Sequence, residues 1–376
     1  MKSRERVRAA LHFQKTDKLP VDFGSTNITT IHIGAYKNLL DKLGIKQDKI
    51  EMIDNAQQLA KPCEEVLKLF QVDTRMVKLK HGKSNSKIIN ENEFIDDWGL
   101  IWKRPQNGLY FDSSNAPLAN AESIEEILAY PWPEIDTLAS NEGIREEAKA
   151  LYENTNYSLV GSFGSSVYMR AQLMRGYEQL FVDMVSAPDI FEALLDRILE
   201  MRIKLADMLL GEVGEFLDVV ELADDIPGQQ GPLFDPALYR KLIKPRTKAL
   251  IDSIKLKHSH IKTLYHCCGS VSPFIEDFIE IGIDALNPVQ VSAVDMDSKM
   301  LSEKFGGRIL FWGGIDQQGV LVKGTPEDVR QETLKRIEDF GSNGGYFPFS
   351  THNIQSDVSA DNIIAMYETI NAYRYC

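Results

Sequence analysis

Three side chains that can bind a metal ion, those of His266, Cys267 and Cys268, follow one another in the sequence. The apolar run before them ends at Tyr265, a pattern typical of a strand with polar residues at its C-terminal end. Alternate residues of an extended strand point to the same side, so we expect His266 and Cys268 to face one way and Cys267 to face the packing. An imidazole and a thiolate are suitable zinc ligands. The pair therefore predicts a metal site, with a purely structural role as the alternative.

The same pattern, an apolar strand followed by polar residues, recurs along the chain. We predict eight such strands, near residues 21, 77, 159, 219, 264, 285, 310 and 347, with helical patterns between them. Right-handed crossovers join parallel strands, so these units predict an α/β fold, a (β/α)8 TIM barrel whose active site lies at the C-terminal strand ends. The predicted lining comprises residues 24–27, 163–166, 221–225, 266–268, 287–290, 313–316 and 351–353. A doubly wound sheet is the alternative, but no phosphate-binding Gly-rich motif follows the first strand.

The remaining segments predict additions to this barrel. Helical patterns extend to about residue 13 and cover residues 33–43 and 51–70, which we interpret as extra N-terminal helices around the first strand, residues 19–23. Residues 81–120 show short alternating runs among Ser, Asn and Gly, a pattern that favours an inserted antiparallel ribbon. We expect one domain over residues 1–376, with this ribbon as its insertion.

Composition and charge exclude several classes of protein. The chain has 376 residues, 43% of them hydrophobic and 26% charged, as in an ordinary globular protein with ample core. Its formal net charge of -13 disfavours nucleic acid and anionic membranes as partners, and no apolar run is long enough to span a bilayer. The N-terminus lacks the features of a secretory signal, so we expect a cytoplasmic protein. The four cysteines, Cys63, Cys267, Cys268 and Cys376, include an adjacent pair and do not suggest a disulfide framework.

Polar residues at strand ends each admit a structural interpretation beside a functional one. Asp224 belongs to an acidic run, and such residues are usually solvated or cap helices. Asn287 and Gln290 either take part in chemistry or hold loops through backbone hydrogen bonds. Gly313 and Gly314 either approach a cofactor or permit a tight turn. Their shared position at the strand ends favours function.

Six segments resemble the uroporphyrinogen decarboxylase superfamily, and more narrowly its corrinoid-dependent methyltransferase branch. They are RERVRAAL (residues 4–11), ELADDIPGQQGPL (221–233), YHCCGSVSPFI (265–275), GIDALNPVQ (282–290), FWGGIDQQ (311–318) and THNIQSDVSADN (351–362). The resemblance covers most of the chain and implies the (β/α)8 barrel that the strand count predicts independently. The decarboxylases carry arginines after the first strand, whereas residues 24–36 here contain none. The decarboxylases also carry an Asp after the second strand and a Tyr, and the corresponding positions in this sequence lie near Lys80 and Gln172. The family's histidine on the last strand is retained as His352.

The methyltransferase branch binds zinc through a His-x-Cys pair and a later cysteine. His266 and Cys268 match the pair, but no cysteine follows before Cys376. We expect His352, and next Glu221, to supply the missing ligand. The Asp-x-His-x-x-Gly signature of corrinoid-binding modules is absent, so the resemblance implies a corrinoid (cobalamin) carried by a partner protein.

The expected function is zinc-dependent transfer of a methyl group between a small substrate, a methyl ether or a thiol, and that corrinoid protein. The residues expected to act in catalysis are Glu221, Asn287, Gln290 and Asp316, and those expected at the cofactor are Gly313, Gly314 and Asn353. Two alternatives remain open: a uroporphyrinogen decarboxylase-like decarboxylase, and a non-catalytic barrel that binds a tetrapyrrole or a partner. The sequence also leaves a homodimer open as the oligomeric state.

Overall fold

A seven-stranded parallel sheet forms the centre of the computed structural model, which describes residues 1–106, 108–164, 166–341 and 344–374. Each strand pairs with the next one in the chain, and the curled sheet is TIM-barrel-like. We number the strands in chain order: β1 Thr74–Lys78, β2 Ser158–Ser162, β3 Val219–Ala223, β4 Lys262–His266, β5 Ala285–Asn287, β6 Leu310–Trp312 and β7 Tyr346–Phe347.

The predicted first strand, residues 19–23, does not join this sheet, so the prediction of eight paired strands is wrong by one. Among the described residues, one backbone hydrogen bond joins this segment to the region of β1. Asp73, the residue before β1, donates its N–H to Val21 O. Side chains replace the ladder at this point. The carboxylate of Asp22 accepts hydrogen bonds from Thr74 in β1 and from the indole of Trp312 in β6. The segment therefore lies beside β1 and contacts β6 through Asp22, without pairing as a strand.

The interior of the sheet has an apolar layer below a polar one. Val219, Leu264 and Ala285 belong to a buried cluster that also includes Trp312 and Phe347, which stack with ring centroids 3.9 Å apart. Side chains alternate along a strand, so the residue two positions later in β3, β4 and β5 faces the same interior. Those residues are Glu221, His266 and Asn287. The alternation thus brings three predicted site residues to the C-terminal end of the sheet.

Helices surround the sheet and bury their apolar faces against it. The N-terminal helix Ser3–Leu11 contributes Val7, Ala10 and Leu11 to the interior cluster. The α-helices are Ser3–Leu11, Ile33–Leu43, Glu64–Leu69, Ile124–Ala129, Ile135–Leu138, Ile144–Asn154, Tyr168–Arg175, Tyr177–Ser186, Pro188–Val213, Pro236–Leu238, Lys244–Lys257, Ile275–Glu280, Ser298–Phe305, Pro326–Gly341 and Ala360–Ala372. Further helical turns are Asn27–Thr29, Gly214–Phe216, Tyr239–Ile243, Ser272–Phe274 and Gln317–Leu321.

The segment predicted as an inserted ribbon contains a four-stranded antiparallel sheet. Its strands are Lys87–Asn90, Glu93–Ile95, Ile101–Lys103 and Asp112–Ser113. Trp98 and Trp102 serve packing: Trp98 contacts Trp132 edge to face, and Trp102 stacks on Phe94 within the ribbon.

Shorter strands complete the structure. The pattern at residues 51–70 was wrongly predicted as one helix, because only Glu64–Leu69 is helical. Leu59–Ala60 instead pairs with Met52–Asp54 on one side and with Ile31–His32 on the other, in a small antiparallel sheet. Two further pairs join Lys80–His81 to Ala139–Ser140 and Pro227–Gly228 to Gly231–Pro232. No helix in the described part of the chain has the length and apolar character needed to cross a bilayer.

Candidate metal centre

His266, Cys268 and His352 bring three potential metal-binding atoms within 4.8 Å of one another. Cys268 Sγ lies 3.3 Å from His266 Nε2, and the rings of His266 and His352 have centroids 6.0 Å apart. His266 ends β4, Cys268 follows it by two residues, and His352 lies beyond β7. Residues distant in sequence therefore converge at the C-terminal end of the sheet, and His352 occupies the place predicted for the third ligand.

Asn287 fixes the orientation of the His266 ring. Its Nδ2 donates to the carbonyl of Trp312 over 3.0 Å, which leaves Oδ1 facing His266 Nδ1 at 2.7 Å. An amide oxygen only accepts, so we assign the imidazole hydrogen to Nδ1 and the lone pair to Nε2. That lone pair faces Cys268 Sγ. A histidine that ligates zinc usually has such an acceptor at its other nitrogen.

The donor set fits a zinc ion. Zinc bonds of about 2.3 Å to sulfur and about 2.0–2.1 Å to nitrogen, at a tetrahedral angle, place two donor atoms about 3.6 Å apart. The observed separation of Sγ and Nε2 is 3.3 Å, close to that value. A three-ligand set of protein side chains with one open position is the usual arrangement of a catalytic zinc site.

The protonation of these groups responds to their burial. Burial lowers the pKa of His352, with a further contribution from His266, so His352 is neutral and can act as a ligand. Burial raises the pKa of the Cys268 thiol well above its ordinary value, and the neighbouring carboxylate of Asp225 raises it further. A bound cation reverses this effect, because a coordinating thiol loses its proton.

The two aspartates after β3 have different roles. Asp224 is buried, and its carboxylate accepts hydrogen bonds from the backbone of Val167 and Met169 at the start of the helix Tyr168–Arg175. Burial raises its pKa to about 7 despite these bonds. Asp224 is thus the helix cap that the sequence suggested. Asp225 Oδ1 accepts from Cys268 N over 2.7 Å and lies 3.9 Å from His266 Nε2, so it shapes the metal group itself.

Glu221 lies inside the barrel but outside the three-residue metal group. Its Oε2 is buried and has no hydrogen-bond partner among the described residues. Burial raises its pKa, and hydrogen bonding to Ser162 and the charges of His266 and Lys78 oppose this shift. A buried carboxyl beside a potential metal site is suited to accept or deliver a proton.

Sequence reasoning overlooked Lys78, the last residue of β1. Lys78 Nζ donates to the carbonyl of Ile53 over 2.8 Å and to Asn27 Oδ1 over 3.3 Å. Burial lowers its pKa, while the nearby carboxylates of Asp54 and Glu221 oppose that shift. Its position at the end of a predicted strand was the available signal.

Gln290, Asp316 and Asn353 make structural contacts in the observed structure. Gln290 Oε1 accepts from Gly269 N over 2.8 Å, and Asp316 Oδ1 accepts from Gly319 N over 3.3 Å at the start of the turn Gln317–Leu321. Asn353 Nδ2 donates to Gln57 Oε1 over 3.0 Å and to the carbonyl of Asn27. These contacts hold loops around the metal group, and none of the three side chains is part of it.

Gly313 and Gly314 both adopt positive φ, at 104° and 109°. A Cβ on Gly313 would lie 3.0 Å from the carbonyl of Ser350 and 3.6 Å from Asn287 Nδ2. The tight turn after β6 therefore requires glycine and keeps room for Asn287.

The two other cysteines in the described part of the chain do not join the metal group. Cys267 is fully buried, and its sulfur accepts from Ile226 N over 3.4 Å, as expected for a residue turned into the packing. Cys63 is free as well. Two residues named from the sequence, Ser165 in the predicted lining and Cys376, lie outside the described residues.

The fold and this site define a barrel protein with a candidate metal centre at its C-terminal end, and comparisons with known proteins give its family. Residues 115–373 match the uroporphyrinogen decarboxylase (URO-D) family. The chain belongs to this family.

Two relatives carry the name methylcobamide:CoM methyltransferase MtbA. The one from Methanosarcina mazei is 24% identical over 221 residues, a match that covers 58% of this chain and 58% of the relative. The one from Methanosarcina acetivorans is 24% identical over 262 residues, or 68% of this chain and 70% of the relative. The chain thus matches little more than half of the first relative's length. A uroporphyrinogen decarboxylase from Synechococcus sp. is 25% identical over 264 residues, or 68% and 69% of the two chains.

A solved structure described as a methyltransferase from Methanosarcina mazei has the same fold. Its TM-score is 0.70 at 18% identity, and the alignment covers 99% of this chain and 98% of that one. The predicted resemblance to the corrinoid-dependent methyltransferase branch of the URO-D superfamily is therefore confirmed.

Proposed function

We propose that this chain is a zinc-dependent methyltransferase that moves a methyl group between a small substrate, a methyl ether or a thiol, and a corrinoid carried by a separate protein. One observation supports this above the others: Cys268 Sγ and His266 Nε2 lie 3.3 Å apart with His352 beside them. The similarity to two methylcobamide:CoM methyltransferases agrees with it.

Different residues of the chain would bind the zinc, orient one of its ligands and exchange a proton with the substrate. His266, Cys268 and His352 would hold the zinc, and Asn287 keeps the His266 ring oriented through its Oδ1. Zinc in such a site supplies Lewis acidity, which lowers the pKa of a thiol or polarises the oxygen of a methyl ether. Glu221, whose Oε2 is buried without a partner among the described residues, is placed to exchange the proton that a thiol or alcohol loses or gains.

The open C-terminal end of the barrel is the surface on which the corrinoid protein would dock. We also propose that residues 1–376 form one domain, with the ribbon of residues 81–120 as its insertion. In this arrangement Gln290, Asp316 and Asn353 position loops, as do Gly313 and Gly314 through their backbone conformation.

A decarboxylase is the second candidate, because the Synechococcus relative carries that name. The residues at the corresponding positions do not favour it. Residues 24–36 contain no arginine, Gln172 is buried in a helix, and Lys80 is paired with Glu147 on the surface.

Metal analysis tests the proposal most directly. We expect the purified protein, reconstituted with zinc and then dialysed, to retain about one zinc per chain. His266→Ala, Cys268→Ala and His352→Ala should each lose this zinc, whereas Cys267→Ala, the matched control, should keep it. The wild type should also consume methylcobalamin in the presence of 2-mercaptoethanol, followed by the change in corrinoid absorbance, and the three variants should not.

A folded wild-type protein that retains no zinc would contradict the proposal. Release of carbon dioxide from uroporphyrinogen by zinc-free protein would establish the decarboxylase instead.

A further inference from the structure

The ring of His352 faces a backbone carbonyl, whereas the ring of His266 faces the side chain of Asn287. Nδ1 of His352 lies 3.3 Å from the carbonyl oxygen of Asn353, the next residue in the chain. A carbonyl oxygen only accepts hydrogen bonds, so this contact places the imidazole hydrogen on Nδ1 and the lone pair on Nε2. Nε2 is then the atom that His352 offers to a metal ion.

The side chain of Gln355 holds the same carbonyl oxygen. Its Nε2 donates to Asn353 O over 3.3 Å and also to Asn353 Oδ1. These two acceptors assign the amide nitrogen of Gln355 to this position, because its amide oxygen would be repelled there. Both hydrogens of the amide group are thus used, and neither is left for His352 Nδ1, which lies 3.4 Å away. The hydrogen on Nδ1 therefore points to Asn353 O.

The peptide group between Asn353 and Ile354 is held on both of its sides. Its N–H, that of Ile354, donates to the carbonyl of Thr30 over 2.8 Å, and its carbonyl accepts from Gln355. Because a peptide group is planar, these bonds together set the direction in which the carbonyl points. The ring of His352 thus meets an acceptor whose direction is fixed.

The side chain of Asn353 is 1% exposed and connects this loop to two segments that precede β1. Its Nδ2 donates to Gln57 Oε1 over 3.0 Å and to the carbonyl of Asn27 over 3.3 Å, while its Oδ1 accepts from Gln355. An apolar side chain at this position would leave Gln355 and the carbonyl of Asn27 without these bonds in a partly buried place. Such groups are costly unless the loop moves to let water reach them.

We propose that Asn353 and Gln355 are positioning residues for His352. They hold its ring in the tautomer with the hydrogen on Nδ1, so that Nε2 faces His266 and Cys268. That Nε2 then binds zinc rests on the proposed function. The tautomer does not, because the hydrogen bonds that set it involve no metal.

Nitrogen NMR of the metal-free protein, labelled with isotope in its histidines, tests the tautomer without reference to zinc. The two ring nitrogens of a neutral histidine differ in chemical shift according to which of them carries the hydrogen. The signals of His352 are identified by their absence from the spectrum of His352→Gln. We expect the hydrogen on Nδ1 in the wild type when the ring is neutral.

Asn353→Leu and Gln355→Leu each remove the hydrogen bonds of one positioning side chain. We expect both variants to fold and His352 to populate the other tautomer as well. The zinc affinity, measured by competition with a chelator, should fall by about tenfold or more, the usual effect of losing a partner behind a metal ligand. Gln355→Leu decides the test should Asn353→Leu be too unstable to measure.

Asn362→Leu is the matched control. Asn362 is buried, and its Nδ2 also donates two hydrogen bonds, to the carbonyls of Leu321 and Gly324, but it contacts no residue of the loop that carries His352 through these bonds. The variant should keep the wild-type tautomer of His352 and the wild-type zinc affinity.

A hydrogen on Nε2 of His352 in the wild type would overturn the proposal. So would a wild-type tautomer and zinc affinity in the Asn353 and Gln355 variants, or an equal change in Asn362→Leu. A wild type that has the hydrogen on Nδ1 but retains no zinc would contradict the proposed function alone.

Discussion

His266 and Asn287 stand opposite each other in the register of β4 and β5, and their side chains meet across the interior at 2.7 Å. The contact is a direct result of strand pairing. Both residues occupy the last inward position of their strands, so the same register that forms the sheet also orients the imidazole. The support for the candidate metal site is therefore part of the main sheet.

Replacement of Asn287 by Leu should weaken zinc binding by about 10- to 100-fold, the usual effect of removing the hydrogen-bond acceptor of a metal-binding histidine. The reason is that His266 Nδ1 loses its acceptor, so the ring is free to rotate. Competition with a chromogenic chelator measures the affinity. Asn287→Asp keeps an acceptor oxygen and should restore most of the binding; equal affinities of the wild type and Asn287→Leu would contradict the assignment.

Glu221→Gln should lower the rate of methylcobalamin consumption by about 100-fold while zinc remains bound, since a positioned acid or base contributes about 10²–10⁴ to a rate. The amide keeps the shape of the side chain and removes its ability to take a proton. Initial rates and zinc content, measured on one preparation, check this. Glu147→Gln, at a surface residue paired with Lys80, is the control and should leave the rate unchanged. A full rate in Glu221→Gln would exclude Glu221 from proton transfer.

Gly313→Ala should destabilise the protein by about 1–3 kcal/mol, because a non-glycine residue is strained at the positive φ of this position. The new Cβ would also press on the carbonyl of Ser350 at 3.0 Å. Urea denaturation gives the free energy of unfolding. Gly211→Ala, in the helix Pro188–Val213 with open space around the position, should be neutral or stabilising by up to about 1 kcal/mol. Similar stabilities of the two variants would count against strain at Gly313.

Asp284→Asn should cost about 1–3 kcal/mol at pH 7, the usual penalty for leaving partly buried charged donors unsatisfied. Asp284 precedes β5 and accepts from Lys255, Lys262 and the backbone of Thr263. Burial alone would raise the pKa of this carboxyl, but these donors lower it below its ordinary value.

The sign of its pH dependence follows from that lowered pKa. The stabilisation is complete above the unfolded-state pKa of about 3.9 and is lost as the pH falls through the lower folded-state pKa. Urea denaturation of both proteins at pH 7, 4 and 3 should show their difference shrinking only below pH 4. Asp252→Asn, at an exposed residue paired with Lys248, should differ from the wild type by less than about 1 kcal/mol throughout. A difference for Asp284→Asn that stays constant to pH 3 would contradict the assigned charge.

The sequence predicted the strand ends well because burial and alternation leave a direct pattern. Apolar residues such as Leu264 fill the interior, and the next inward position, His266, must then lie at the open end. His352 could be chosen as the third ligand because it follows a predicted strand at the same end of the barrel. The two-residue period and parallel strands predict where these residues lie, whereas the expectation of a third zinc ligand came from the family resemblance.

Other features depended on contacts that no local pattern contains. Lys78 was missed because a lysine at a strand end resembles a solvated charge until its neighbours Ile53 and Asn27 are known. Asp316 was predicted to act in catalysis because of its strand-end position; its carboxylate accepts a hydrogen bond from Gly319 three residues later, and its catalytic role stays a prediction. The segment of residues 19–23 has the composition of a strand, but its place is decided by distant side chains. A cytoplasmic location and a homodimer stay predictions.

The candidate metal centre joins two kinds of support. His266 ends a strand that is paired on both sides, and Cys268 follows it by two residues. His352 lies in the loop after β7, which isolated bridges attach to Ile315 through Ser350 and to Ile31 through Ile354. The three side chains therefore meet only when this loop is bridged both to the chain after β6 and to the segment before the helix Ile33–Leu43. Assembly of the site thus depends on closure of the fold between its last and first parts.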